Sequence, residues 1–268
     1  MIAATASSAA PIKTVGTGTL LRVLWRSFFF LAVTNFERMQ NVGFAWCMWP
    51  ALKRLYSGED LKAAMKRHLE FFNSHPYMAS ALLGAAVRFE EEVAAGRSTP
   101  DRVQMFKRCL MGPMAAIGDS FFWSSLRPFG AAWAIAGVLS DIIWAPIAFL
   151  VLYNLFHLFI RSYGLFAGYH RGEQIIERLP RLELVRFADL SHYVTGFFLG
   201  IAGALFADRA ASTGWPLGDG LEPFLLVVLT VIFLLCLKRK MAMPILLYSF
   251  TLGCLALVLG LNALFPLV

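Results

Sequence analysis

A chain of 268 residues is long enough for one or two domains, but 58% of its residues are apolar and only 15% charged, too few polar side chains to clothe a water-facing surface. The net charge of +7 is spread through short linkers between apolar segments, as a membrane orientation signal is; a basic face on a polar surface, which a nucleic-acid partner requires, is missing. Cys47, Cys109, Cys236 and Cys254 stand singly, with neither metal-ligand nor redox spacing, so each reads as a small buried hydrophobe.

In chain order, Met1 to Thr19 is rich in Ala, Ser, Thr and Gly and lacks the apolar core of a signal peptide, which predicts a disordered cytoplasmic tail (1–19). Residues 20–108 form a second region of interfacial and cytosol-facing helices. From Leu20 to Val33 apolar residues recur near helical spacing, with Arg22 and Arg26 placed to reach headgroups, as in a helix lying on or dipping into the bilayer. In the polar stretch Thr34 to Asn41, helical spacing pairs Asn35 with Met39 and Glu37 with Asn41. Glu37 is a candidate acceptor for sugar hydroxyls or, alternatively, an ion-pair partner of Arg38. A helix over Glu59 to Phe72 carries Ala64, Met65 and His68 on one face and Lys62, Lys66 and Glu70 on another, with Ser57 as its cap. His75, next to Pro76, marks a break, where Asn73 and His75 are candidate ligand or gate residues; capping of the next helix is the other role open to Asn73. That helix runs from about Tyr77 to Ala95 and stops at Gly96. Thr99, Pro100 and Asp101 start another.

A membrane core (109–191) follows. Gly112, Pro113, Gly118 and Asp119 interrupt an apolar run, which predicts a re-entrant or broken helix lining a cavity. Asp119 is a functional candidate because an acid at membrane depth is costly unless paired or wet. Trp123 lies four residues on and offers an aromatic plane to a sugar ring; an Asp119–Arg127 pair that only fixes the fold is the alternative. Phe129 to Leu139 is a short arm, Ser140 and Asp141 a turn, and Ile143 to Ile160 a span. The linker Arg161 to His192 is arginine-rich. In the C-terminal region (192–268) three apolar segments follow, Tyr193 to Ala207, Phe224 to Leu237 and Met241 to Val268, with Gly196, Gly200 and Gly203 suited to close helix packing. The basic triplet Lys238, Arg239 and Lys240 sets the cytoplasmic side. The Arg161 to His192 linker then falls inside with the N-terminal region, the Asp141 turn and the Asp208 to Leu221 linker fall outside, and the C-terminus is external. Signatures such as GxxxxGKS/T, HExxH and GxSxG do not occur.

Four blocks carry a family resemblance: NFERMQNVGFAWCMWPALKRLY (Asn35 to Tyr56), RHLEFFNSHPYMA (Arg67 to Ala79), LMGPMAAIGDSFFWSSLRP (Leu110 to Pro128) and LYNLFHLFIRSYGLFAGYHRGEQII (Leu152 to Ile176). In these the chain resembles the IID membrane component of the mannose/fructose/sorbose family of bacterial phosphotransferase systems. The resemblance implies an all-α integral membrane protein of the bacterial inner membrane, related in inverted topology to a IIC partner. It further implies a trimer of IIC–IID pairs and import of a hexose-type sugar such as mannose, glucose, fructose or an amino sugar. Cytoplasmic IIA/IIB proteins would supply the phosphoryl group, with no catalytic residue, phosphohistidine, metal or cofactor expected on this chain. A regulatory or scaffold subunit is the alternative. Two departures bear on these expectations: the segment after Ala207 is short, and His75 and Ser80 to Gly84 differ from the family pattern.

Overall fold

The computed structural model describes residues 14–174 and 184–212, with isolated positions beyond. Helix α1 (Thr17–Ser27) buries Leu20, Val23 and Ser27 and leaves Leu21 and Trp25 exposed, the two-faced pattern of an interfacial helix. It ends earlier than the apolar run predicts and gives way to turns. Ordered structure also starts before the predicted boundary at residue 20: Val15 is buried, its N–H donating to Glu91 Oε1 and its carbonyl accepting from the Tyr169 hydroxyl at 3.1 Å.

Residues 34–40 are not helical. Asn35 and Met39 form a β-bridge closing a tight loop, and Met39 takes a φ of 55°, so the predicted shared helix faces are absent. Helix α2 (Asn41–Leu55) packs Phe44, Met48 and Leu52 inward. Helix α3 (Gly58–His68) starts at the predicted place, but Ser57 makes no side-chain cap bond. Helix α4 (Ala79–Ala94) is buried along nearly its whole length and stops at Gly96, whose φ of 71° favours glycine.

Helix α5 (Pro100–Gly118) opens on Pro100 as predicted. The expected break beyond it is instead a change of pitch: the chain passes through a π-helical stretch, Asp119–Leu126, directly into α6 (Arg127–Leu139). Pro128 has no N–H for the Ser124 carbonyl. His192 satisfies that oxygen from another helix, with Nε2 at 3.1 Å. Ser125 Oγ donates to the Ser120 carbonyl at 2.8 Å, which helps hold the wider turn.

The turn at Ser140 and Asp141 is present, Asp141 having a φ of 63°. Helix α7 (Ala145–Arg171) runs well past the expected span, so Arg161 is a buried helical residue rather than a linker charge. With its short extension, Ala145–Gln174 is the one helix among the described residues long and apolar enough to cross a membrane, and only 11% of its most apolar window is buried. That outward apolar face distinguishes it from the core helix of a soluble protein. Helix α8 (Leu184–Ser212) contains a shorter apolar stretch, Leu190–Leu205. The segments predicted beyond it, with most of the basic triplet, lie outside the described residues apart from isolated positions, as do residues 175–183 of the linker after Arg171, whose last part is the start of α8.

The central packing is α4 against α7. Gly84 and Gly168 make it possible: a Cβ on Gly84 would strike the Leu165 carbonyl, and one on Gly168 the Ala81 carbonyl. Among the described residues, Gly196 and Gly200 have no neighbour within 4 Å of a built Cβ. Helices α6 and α8 pack together beside this pair, and Arg209 joins Asp141 at 2.6 Å.

Candidate functional site

Two loops are stitched together beside the π-helical stretch. Gln40 N–H donates to the Phe72 carbonyl at 2.8 Å, and Ser74 N–H donates to Gln40 Oε1 at 2.9 Å. Asn41 Nδ2 reaches the Leu69 carbonyl at 2.8 Å, while Asn35 Nδ2 donates to Asn41 Oδ1 at 2.9 Å. Asn35 is thus occupied in fixing its own loop. This scaffold sets Pro76 and His75 against the end of α5, where Gly118 leaves room for the imidazole.

His75 is buried. Its ring lies parallel to Phe122 with centroids 5.1 Å apart and meets Trp123 edge-on at 5.0 Å. Its Nδ1 accepts the Tyr77 N–H at 3.3 Å, which assigns the ring proton to Nε2, and that atom is buried without a partner among the described residues. Beyond this aromatic wall is a cavity of 320 Å³, whose lining includes Ser27, Tyr77, Trp123, Arg127, His157 and Arg161.

Its donors are held by packing. Arg161, 4% exposed, places its guanidinium 4.9 Å from the Phe28 ring and 5.3 Å from Tyr77. One of its terminal nitrogens donates to the Ser27 carbonyl, while Nε has no partner among the described residues. His157, one turn earlier on α7, stacks on Tyr77 at 4.4 Å, and its Nδ1 has no partner among the described residues. Arg127 lies over Trp123 at 5.9 Å. The described lining contains no carboxylate. Chemically the cavity offers hydrogen-bond donors and aromatic planes to a ligand rich in acceptors and bearing a flat apolar face.

Of the predicted site residues, Trp123 and Arg127 line this cavity and His75 packs against its wall. Asp119 is on the same π-helical stretch but outside the lining, and no ion pair joins it to Arg127 among the described residues. Glu37 is exposed and lies 3.4 Å from Arg38, which is the alternative reading of that acid. Asn73 is exposed in its loop. Tyr77, His157 and Arg161 were not foreseen. The signal for two of them was a histidine and an arginine four residues apart within an apolar run, hence on one helical face.

A second polar cluster is at the far end of α4. Glu90 is fully buried and receives Arg67 Nε at 2.7 Å, Arg67 Nη2 at 2.8 Å, the Tyr56 hydroxyl at 2.7 Å and His68 Nε2 at 2.9 Å. Lys107 Nζ approaches the other imidazole nitrogen at 3.5 Å. Burial opposes the charge on Glu90, but the hydrogen bonds from Arg67 and His68 outweigh it and hold the carboxyl down at about 2. Burial, then the Lys107 charge, pushes His68 down to about 4. Burial likewise brings Lys107 down to about 8. A neutral His68 donating from Nε2 and accepting at Nδ1 fits both neighbours.

The family model described as "PTS system mannose/fructose/sorbose family IID component" matches residues 14–214. The chain is 41% identical over 158 residues to the mannose-specific EIID component of Escherichia coli K12, covering 58% of this chain and 56% of that protein. It is 35% identical over 177 residues to the fructose permease IID component of Bacillus subtilis, covering 65% and 64%. These curated relatives are therefore matched over less than two thirds of their own length. Among solved structures, a chain of the mannose transporter ManYZ–microcin E492 complex is similar with a TM-score of 0.58 and 30% identity, over 92% of this chain and 98% of that one. A second, described as a membrane protein, has a TM-score of 0.71 and 29% identity over the same shares. The fold is thus of the integral-membrane, multi-helix type.

Proposed function

Because the chain belongs to the IID components of the mannose/fructose/sorbose phosphotransferase family, we propose that it is a non-catalytic membrane subunit of a sugar permease. It works with a IIC partner in the bacterial inner membrane, and cytoplasmic IIA/IIB proteins phosphorylate the entering hexose-type sugar. The observation that carries this reading is the family match over residues 14–214, which includes every described residue of the cavity.

Within that reading, Trp123 and Tyr77 face the sugar ring while Arg127, Arg161 and His157 donate to its oxygens. A sugar hydroxyl also needs acceptors, and the described lining has no carboxylate. The cavity therefore works as half of a site, with the acidic acceptors contributed by IIC. Asp119, on the same stretch, faces the route to it. Asn35, Glu37 and Asn73 shape the loops behind. The chain is multi-pass, its N-terminal region and the α7–α8 linker cytoplasmic and the Asp141 turn external, a reading supported by the ion pair that joins Arg209 to that turn.

The test is co-expression with the IIC partner in membrane vesicles supplied with IIA/IIB and a phosphoryl donor. Sugar-phosphate should accumulate only when both membrane subunits are present, and Arg127→Gln should reduce uptake at least tenfold while leaving assembly intact. Sugar binding without accumulation would favour the regulatory role.

A further inference from the structure

A second cleft, sharing no lining residue with the sugar cavity, lies between α1 and α2. It encloses 770 Å³ and is lined by residues including Leu21, Arg22, Trp25, Arg26, Lys53 and Arg54. The described lining contains no acid, and none of its four cations forms an ion pair among the described residues. Leaving four like charges together is unfavourable unless an anion joins them.

Two of the cations are already oriented. Arg26 lies 3.9 Å from the centre of the Trp46 ring and donates to the Trp46 carbonyl at 2.9 Å. Arg54 Nε reaches the Thr14 carbonyl at 3.4 Å. Around them, Leu21, Trp25, Phe29 and Trp46 are about half exposed or more. Tryptophan beside arginine and lysine is the composition of a membrane–water boundary, and the outward apolar side chains have a place to go only if acyl chains lie next to the charged cleft.

We propose that this cleft binds the headgroup of an anionic phospholipid. The phosphate sits among Arg22, Arg26, Lys53 and Arg54, and the acyl chains run along Leu21, Trp25 and Phe29. Charge complementarity selects the headgroup, and the apolar rim distinguishes a lipid from a free anion.

The test offers the full-length chain, in neutral detergent, equal amounts of phosphatidylglycerol and phosphatidylcholine and measures the lipid retained by native mass spectrometry. Phosphatidylglycerol should be retained in large excess, and the excess should collapse with added salt because exposed charges are screened. Arg22→Gln with Lys53→Gln should weaken phosphatidylglycerol retention by about twenty-five-fold, at about fivefold for each charge removed, with phosphatidylcholine unaffected. Lys62→Gln with Arg97→Gln, exposed cations elsewhere, should change nothing. Equal retention of the two lipids, a salt-insensitive preference, or displacement by inorganic phosphate alone would overturn the proposal; the first two are read on the unmodified protein, so a misfolded variant does not shield it.

Discussion

At the scale of single residues, the most exacting arrangement is the buried Glu90 with its four donors. Removing one partner of such a pair leaves a buried charge uncompensated, so Glu90→Ala should cost about 3–5 kcal/mol, read as loss of monodisperse protein on detergent extraction. His68 gives the cluster a pH dependence. Its pKa falls from an ordinary 6.5 to about 4 in the fold, so between those values the unfolded chain binds more protons than the folded one. Stability is therefore complete above pH 6.5 and is lost as pH falls toward 4, at up to about 1.4 kcal/mol per pH unit. Glu90, held at about 2, adds a further loss only as pH falls below the ordinary carboxylate range. In His68→Gln the amide offers the same N–H to Glu90 and the same kind of acceptor to Lys107, without a titrating proton. Its melting temperature should change much less between pH 7 and pH 5 than that of the unaltered chain. Equal slopes in the two proteins would remove His68 from this account.

At the scale of elements, the α4–α7 crossing rests on Gly84 and Gly168, where the two backbones meet. Gly84→Ala or Gly168→Ala forces a methyl onto a carbonyl and should cost about 1–3 kcal/mol or more, whereas Gly200→Ala, in open space within the described fold, should be tolerated. Thermal stability of the solubilised protein separates them. The sequence made helices legible where local signals suffice: Pro100 as a start, Gly96 as a stop, and Asp141 as the turn before α7. It did not single out Gly84 and Gly168, because small residues recur on α4, α7 and α8 alike, and only the approach of a second backbone distinguishes them. It suggested a broken helix because Gly112, Pro113, Gly118 and Pro128 each weaken an α-helix locally. A distant donor, His192, compensates at Ser124, and tertiary rescue of this kind leaves no local trace. The same limit explains the site: Trp123 and Arg127 announced themselves beside a proline, while Arg161 looked like a linker charge until α7 was seen to continue past it. His192→Ala should lower stability by about 0.5–1.5 kcal/mol through loss of that one hydrogen bond; Pro128→Ala, which restores the missing N–H, should suppress that effect in the double variant. Additive losses would separate His192 from the π-helical geometry.

At the scale of the whole molecule, the polar contacts sort themselves by end. One end carries the turn at Asp141 and its partner Arg209. The other carries the Glu90 cluster and the Arg102–Glu173 pair at 3.0 Å, which joins the start of α5 to the end of α7. Between them α7 is apolar on its outward face, with Ile147, Leu152, Leu155 and Phe159 each about three-fifths exposed. Such a distribution fits a chain whose two polar ends are on opposite sides of a hydrocarbon layer, because a charged side chain at the bilayer centre is expensive. The direction proposed above rests on the charge bias: seven arginines and four lysines precede α5, and basic residues concentrate on cytoplasmic segments. With the four native cysteines replaced by serine, a cysteine introduced at Asp141 should react in intact cells with a membrane-impermeant maleimide, and one at Glu59, exposed in α3, only after permeabilisation. The reverse pattern would invert the molecule and place the basic cleft on the outer leaflet. Labelling of both in intact cells would mean that the two polar ends share one side, which a single crossing by α7 forbids.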